Sequence, residues 1–164
     1  ASLPPPATWA VFVDGAWGAA GAGAAAVVHS PSGLVTRYAA RLEFDCTNNI
    51  AEYEALVLGL RKASALGARR VIVKSDSLVI TRQVEKEFRA KEPELSRYLQ
   101  VVRSLERKFQ GFTVVHIPRL DNADADALAK AAAQASPMPP EVLFTTLTSP
   151  SAEEVPGAVS LVGG

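Results

Sequence analysis

The 164 residues hold 17 Lys and Arg against 17 Asp and Glu, a net charge of zero, with 48% hydrophobic and 21% charged residues. That balance suits one globular domain with a sizeable core, and no apolar run approaches the roughly 20 residues a membrane-spanning helix needs. The single cysteine, Cys46, excludes an internal disulfide, and Ala1-Ser2-Leu3-Pro4-Pro5-Pro6 lacks the basic start and apolar core of a secretory signal. An intracellular location, cytoplasm or nucleus, is the expectation.

Residues 1–8, with three consecutive prolines, read as a linker. Trp9 to Asp14 is a short β-branched and aromatic strand, and the Gly- and Ala-dominated stretch Gly15–Gly23 reads as a turn. A second strand at 24–29, the turn Ser30-Pro31-Ser32-Gly33 and an alternating third strand at 34–44 predict an antiparallel meander. A helix follows to about Leu66, capped by Asn48 or Asn49 and stopped by Gly67. Residues 71–76 form a fourth strand, and helical patterns begin near Ser77 and again near Glu94, after Pro93. A fifth strand at 112–117 and an Ala-rich helix at about 122–135 complete a body spanning 9–135. Residues 136–164, broken by Pro137, Pro139, Pro140, Pro150 and Pro156, read as a flexible Pro-rich tail or linker, in which Val142-Leu143-Phe144 could dock on a surface. The expected fold class is α/β, a five-stranded mixed sheet flanked by helices.

Four acids stand at the tips of different elements: Asp14 and Asp76 after apolar strands, Glu52 in the first turns of a helix, Asp126 near the start of the last helix. On a helical wheel Glu52 heads the stripe Ala55, Leu56, Gly59, Leu60 and Ala63, which faces the core, whereas Glu54 falls with Arg61 and Lys62 on a face expected to be solvated. An inward carboxylate needs a partner. Either a cation shared with Asp14 and Asp76 or an ion pair with an arginine such as Arg82 would supply it. Asp121 and Asp124 are assigned to capping the last helix. Every Lys and Arg lies at or before Lys130, leaving 17 cations against 14 acids in residues 1–135. Were cations to offset four of those acids, the body would favour a phosphate-bearing partner.

In their order along the chain, Phe12-Val13-Asp14-Gly15, Gly21-Ala22-Gly23-Ala24, Thr47-Asn48-Asn49 with Glu52, Ser75-Asp76-Ser77, and His116-Ile117-Pro118-Arg119 followed by Asn122 and Ala125-Asp126-Ala127-Leu128-Ala129 resemble the ribonuclease H family. The likeness is especially to the ribonuclease H domains of plant long-terminal-repeat retrotransposon polyproteins. The resemblance implies an endonuclease that cleaves the RNA strand of RNA/DNA hybrids and leaves 5′-phosphates, with Asp14, Glu52, Asp76 and Asp126 holding two Mg²⁺ ions, for which Mn²⁺ can substitute. It implies substrate contacts at Thr47, Asn48, Asn49, Ser77, Arg119 and Asn122, with the asparagines in the hybrid's minor groove.

Arg119 stands where bacterial members of the family carry a loop histidine, and could meet the scissile phosphate as a fixed cation; His116 is read as structural. The long basic helix insertion of some relatives is reduced, with Lys86, Arg89, Lys91, Arg97, Arg103, Arg107 and Lys108 as its partial replacement. A reverse transcriptase domain in the same polyprotein and a monomeric state are further expectations. Two other readings stay open: a catalytically weak or inactive module that binds or tethers nucleic acid, and a strand-transfer nuclease.

Overall fold

The computed structural model describes residues 6–85 and 92–154. Strand β1 (Thr8–Gly18) pairs antiparallel with β2 (Gly21–His29), which pairs antiparallel with β3 (Val35–Leu42). Helix α1 (Asn48–Ala65) crosses over to β4 (Arg70–Ser75), parallel to β1. Helices α2 (Leu78–Glu85) and α3 (Pro93–Glu106) lead to β5 (Gly111–His116), parallel to β4. A 3₁₀ turn (Arg119–Asn122) precedes α4 (Ala123–Ala133).

The described residues then add a strand that the sequence reading lacks: β6 (Val142–Leu147) pairs parallel with β3. The sheet has six strands, in the order β5-β4-β1-β2-β3-β6, not five. Its sixth comes from the segment read as a tail. The flanking prolines punctuate a short β-prone run rather than dissolve it, and the parallel pairing with β3 comes from more than ninety positions away in the chain. A second 3₁₀ turn (Ser151–Glu154) packs against α3.

Strand β2 shows why the chain is so rich in Ala and Gly. Its side chains alternate between two apolar clusters, Ala24, Ala26 and Val28 in one and Ala25 and Val27 in the other. Helix α1 packs on β1 and β2 from one side, and α4 packs on β1, β2 and β3 from the other. Small side chains let both helices come close. A Cβ on Gly23 would lie 2.4 Å from the Ala129 carbonyl oxygen, and one on Gly59 would lie 2.8 Å from Val11. The stretch 15–23 is therefore mostly strand, with only Ala19 and Ala20 turning between β1 and β2. Its glycines serve helix approach more than chain reversal.

The predicted inward stripe of α1, from Glu52 to Ala63, is buried throughout. Glu54 is not solvated as expected: it is 1% exposed. Its carboxylate accepts hydrogen bonds from the Tyr98 hydroxyl on α3, from the Ser151 amide (2.8 Å) and from the Ser151 hydroxyl (2.6 Å). Helix α1 is thus enclosed on both sides, by the sheet and by α3 with the segment after β6. Its N-cap is Thr47, whose hydroxyl accepts from the Ile50 amide, rather than Asn48 or Asn49. Gly67, at φ +97°, stops it as expected. Asp124 does not cap α4 but pairs with Arg37 at 2.9 Å, and Asp121 is exposed. Of the proposed basic set, Lys86, Arg89 and Lys91 lie outside the described residues, and Arg97, Arg107 and Lys108 are exposed.

Candidate functional site

The strand register brings two of the four acids together. Val13 of β1 lies opposite Ser75 of β4, so the residues that follow, Asp14 within β1 and Asp76 just past the end of β4, lie side by side. The third acid arrives through a glycine. At Gly15 the strand touches the backbone of α1 so closely that a Cβ would sit 2.4 Å from the Ala51 carbonyl carbon and 2.5 Å from the Glu52 nitrogen. The Gly15 amide also donates to the Glu52 carboxylate. One residue without a side chain therefore sets the helix on the strand and aims Glu52 at Asp14.

Carboxylate oxygens of Asp14, Glu52 and Asp76 lie within 4.8 Å of one another. Asp14 and Glu52 are buried, at 4% and 6% exposure. Burial, with the charges of Glu52 and Asp76 beside it, pushes Asp14 up to about 9 from an ordinary 3.8. Burial likewise pushes Glu52 up to about 7, against the lowering effect of the Gly15 amide and, more weakly, of Arg119. One oxygen of Asp76 is buried with no hydrogen-bond partner. Three crowded carboxylates with an orphaned oxygen fit a hard divalent cation, which favours oxygen ligands and would relieve both their repulsion and their desolvation.

Asp126 comes from the other layer. It lies on α4, outside the compact group of three, and its carboxyl meets that of Asp14 while pairing with Lys130 at 3.0 Å. All four acids line one cleft of about 540 Å³ that runs from Asn48, Ser77 and Arg119 along the β1–β2 hairpin to the end of α4.

The other expected site residues divide. Asn48, Ser77 and Arg119 line the cleft. Thr47 and Asn49 do not, and Thr47 is engaged as the α1 cap. Asn122 is 1% exposed and its amide donates to the Val13 carbonyl at 2.9 Å. It lies inside the fold rather than on the cleft wall. It ties the start of α4 to the backbone immediately before Asp14. His116 ends β5, exposed and away from the cleft, and Arg82 is exposed rather than paired with Glu52. Sequence reasoning missed Trp17, Lys130 and Gln134 on the cleft wall. Lys130, four residues after Asp126 on a helix, was detectable from its spacing. Trp17, 58% exposed near the end of β1, fell in the stretch read as a turn and carried no pattern that marked it for the cleft.

A family profile described as Reverse transcriptase-like matches residues 12–132. Ribonuclease HI of Halobacterium salinarum is 35% identical over 86 residues, which is 52% of this chain and 43% of that protein. A bifunctional protein of Mycobacterium tuberculosis is 34% identical over 90 residues, 55% of this chain and 25% of the relative. The chain thus spans less than half the length of these curated relatives. Among solved structures, RNase H1 from Halobacterium salinarum superposes with a TM-score of 0.72 at 29% identity, covering 77% of this chain and 97% of that one. LC11-RNase H1 in complex with an RNA/DNA hybrid gives 0.70 at 29%, covering 77% and 97%.

Proposed function

The chain belongs to the ribonuclease H family, and on that premise we propose that it hydrolyses the RNA strand of RNA/DNA hybrids at the cleft between α1 and α4. The observation that carries the reading is the convergence of Asp14, Glu52 and Asp76 within 4.8 Å, with a buried oxygen left over. Its support from the relatives is the match to ribonucleases H, one of them solved with a hybrid bound.

Asp14, Glu52 and Asp76 would hold divalent cations, two Mg²⁺ by family expectation, with Asp126 as the fourth ligand. When bound, such cations supply a polarised water and offset charge on the departing oxygen. The protein's own groups do the placing. Gly15 and Asn122 fix the Asp14 segment against α1 and the start of α4. Arg119 offers a permanent cation at the cleft where a phosphate would lie, and Asn48 and Ser77 offer hydrogen-bonding groups on the same wall. Trp17 presents an exposed aromatic face on which a sugar or base can pack. Hydrolysis adds water across a P–O3′ bond, leaving a 5′-phosphate and a 3′-hydroxyl.

The test is incubation of labelled RNA/DNA hybrid, duplex DNA and duplex RNA with Mg²⁺ or Mn²⁺. Only the hybrid's RNA is cut, and Asp14→Asn abolishes the cut. Hybrid binding with no cleavage in either metal would instead favour a tethering module, and nicking of duplex DNA a strand-transfer nuclease.

A further inference from the structure

Three consecutive residues near the start of α1 tie it to three different parts of the fold. The Glu52 carboxylate accepts from the Gly15 amide on β1, and the Tyr53 hydroxyl donates to the Gln83 side chain on α2. Glu54 accepts from Tyr98 on α3 and from Ser151, beyond β6. Residues two apart on a helix point about 200° from one another, so Glu52 and Glu54 project from opposite sides of the same turn. On the Glu52 side the backbone of α1 already presses on Gly15 and has no room to move inward. Only outward movement, toward α3 and Ser151, is open to it, and the bonds to Glu54 oppose that movement.

We propose that Glu54 and Ser151 are positioning residues for Glu52: together with Tyr98 they brace α1 from outside, so that Glu52 stays within reach of Asp14 and Asp76. The cause is the cost of a buried carboxylate. Ser151 donates to both oxygens of Glu54, its hydroxyl to Oε1 and its amide to Oε2, and Tyr98 donates to Oε2. Without the Ser151 hydroxyl, Oε1 loses that donor, and a buried carboxylate short of donors gains by reaching water. It reaches water when this turn of α1 eases away from the sheet. That movement carries Glu52 off the Gly15 amide and spreads the three carboxylates apart. Ser151 lies beyond residue 132, where the family-profile match ends, so the brace comes from a segment outside the matched part of the chain. The proposal rests on the reading of Asp14, Glu52 and Asp76 as cation ligands.

Calorimetric titration of the whole chain with MnCl₂, alongside hybrid-cleavage kinetics, tests the proposal in wild type, Ser151→Ala and Tyr98→Phe. The control is Phe109→Leu, a buried site between α3 and β5 at the end of the sheet away from the cleft. All are compared at a temperature where circular dichroism shows each one folded. In both brace variants the Mn²⁺ dissociation constant should rise about 3- to 10-fold, less than the roughly 10- to 100-fold typical when a group bonded to a ligand is lost. Their kcat should fall while KM for the hybrid holds. Phe109→Leu should lower Tm and keep wild-type Mn²⁺ binding. Brace variants that bind Mn²⁺ as wild type does overturn the proposal, and so does an equal loss of Mn²⁺ affinity in Phe109→Leu. A wild type that binds Mn²⁺ but cuts no hybrid refutes the nuclease reading alone, and the titration still decides this one.

Discussion

The hydroxyl of Ser151 reaches Glu54 from 97 positions away at 2.6 Å, and both side chains are buried. Ser151→Ala removes that donor and leaves the Ser151 amide and the Tyr98 hydroxyl in place. A hydrogen bond to a charged acceptor contributes about 1.5–3 kcal/mol, and the cavity left by one oxygen adds little. For a domain of this size each kcal/mol moves Tm by roughly 2–4 °C. The expected drop is therefore about 3–12 °C, read by circular dichroism, with a matching fall in the urea midpoint at unchanged m. Glu54→Gln should cost about 1–3 kcal/mol, because its amide nitrogen cannot accept and leaves a buried donor unsatisfied. A Ser151→Ala protein within roughly 0.5 kcal/mol of wild type, the ordinary range of surface substitutions, would mean that the segment after β6 is not docked on α1. The account of α1 as a helix buried on both sides would then fail.

The carboxylate cluster sets a pH dependence. Asp14 and Glu52 titrate at about 9 and 7 in the folded chain, above ordinary values of 3.8 and 4.5. The native state thus holds more protons than the unfolded one across that interval. Their contribution is fully present below about pH 4 and is lost as pH rises through 7 and then 9. In chelator, wild type should lose more stability between pH 5 and 9 than Asp14→Asn does, and Mg²⁺ should reduce the loss; parallel curves would contradict the cluster's electrostatics. Gly15→Ala forces a methyl within 2.4 Å of α1 backbone, an overlap expected to cost about 1–3 kcal/mol or more. It should lower both Tm and hybrid cleavage, and retention of both would refute the close contact. Asn122→Ala removes a buried amide that donates to the Val13 carbonyl, a loss of about 0.5–1.5 kcal/mol. Cleavage should fall with it while Arg119, on the exposed side of the same turn, still supports hybrid binding; unchanged unfolding would remove Asn122 from its proposed positioning role.

What was legible in the chain follows from what a local pattern can carry. Apolar runs that end on Asp14 and Asp76 announce strands and their tips, and the wheel through Glu52, Leu56 and Leu60 announces a buried helix face. Both are periodicities of one element; the helix face and the strand end before Asp76 hold, whereas β1 runs on past Asp14 to Gly18, so Asp14 lies within a strand rather than at its tip. Glu54 was misread because the wheel assumes one buried face. The second is imposed by Tyr98 and Ser151, which no spacing in α1 announces. Gly15 and Gly23 looked like turn residues because a glycine needed for helix contact and one needed for a turn are the same letter. Strand β6 was hidden by the prolines on either side of it and by a partner strand, β3, far away in the sequence.

The division also runs through the site itself. Asp14, Glu52 and Asp76 are joined by one register pair and one glycine contact, so their meeting follows from the β1–α1–β4 crossover alone. Asp126 is delivered by α4, from the opposite layer, and its place depends on how closely that helix settles on Gly23 and on the Asn122 tie to Val13. A cleft whose fourth acid rides on a separately docked helix can lose that acid while its other three remain together. Packing changes beneath α4 should therefore weaken cleavage more than they weaken retention of a first cation by Asp14, Glu52 and Asp76.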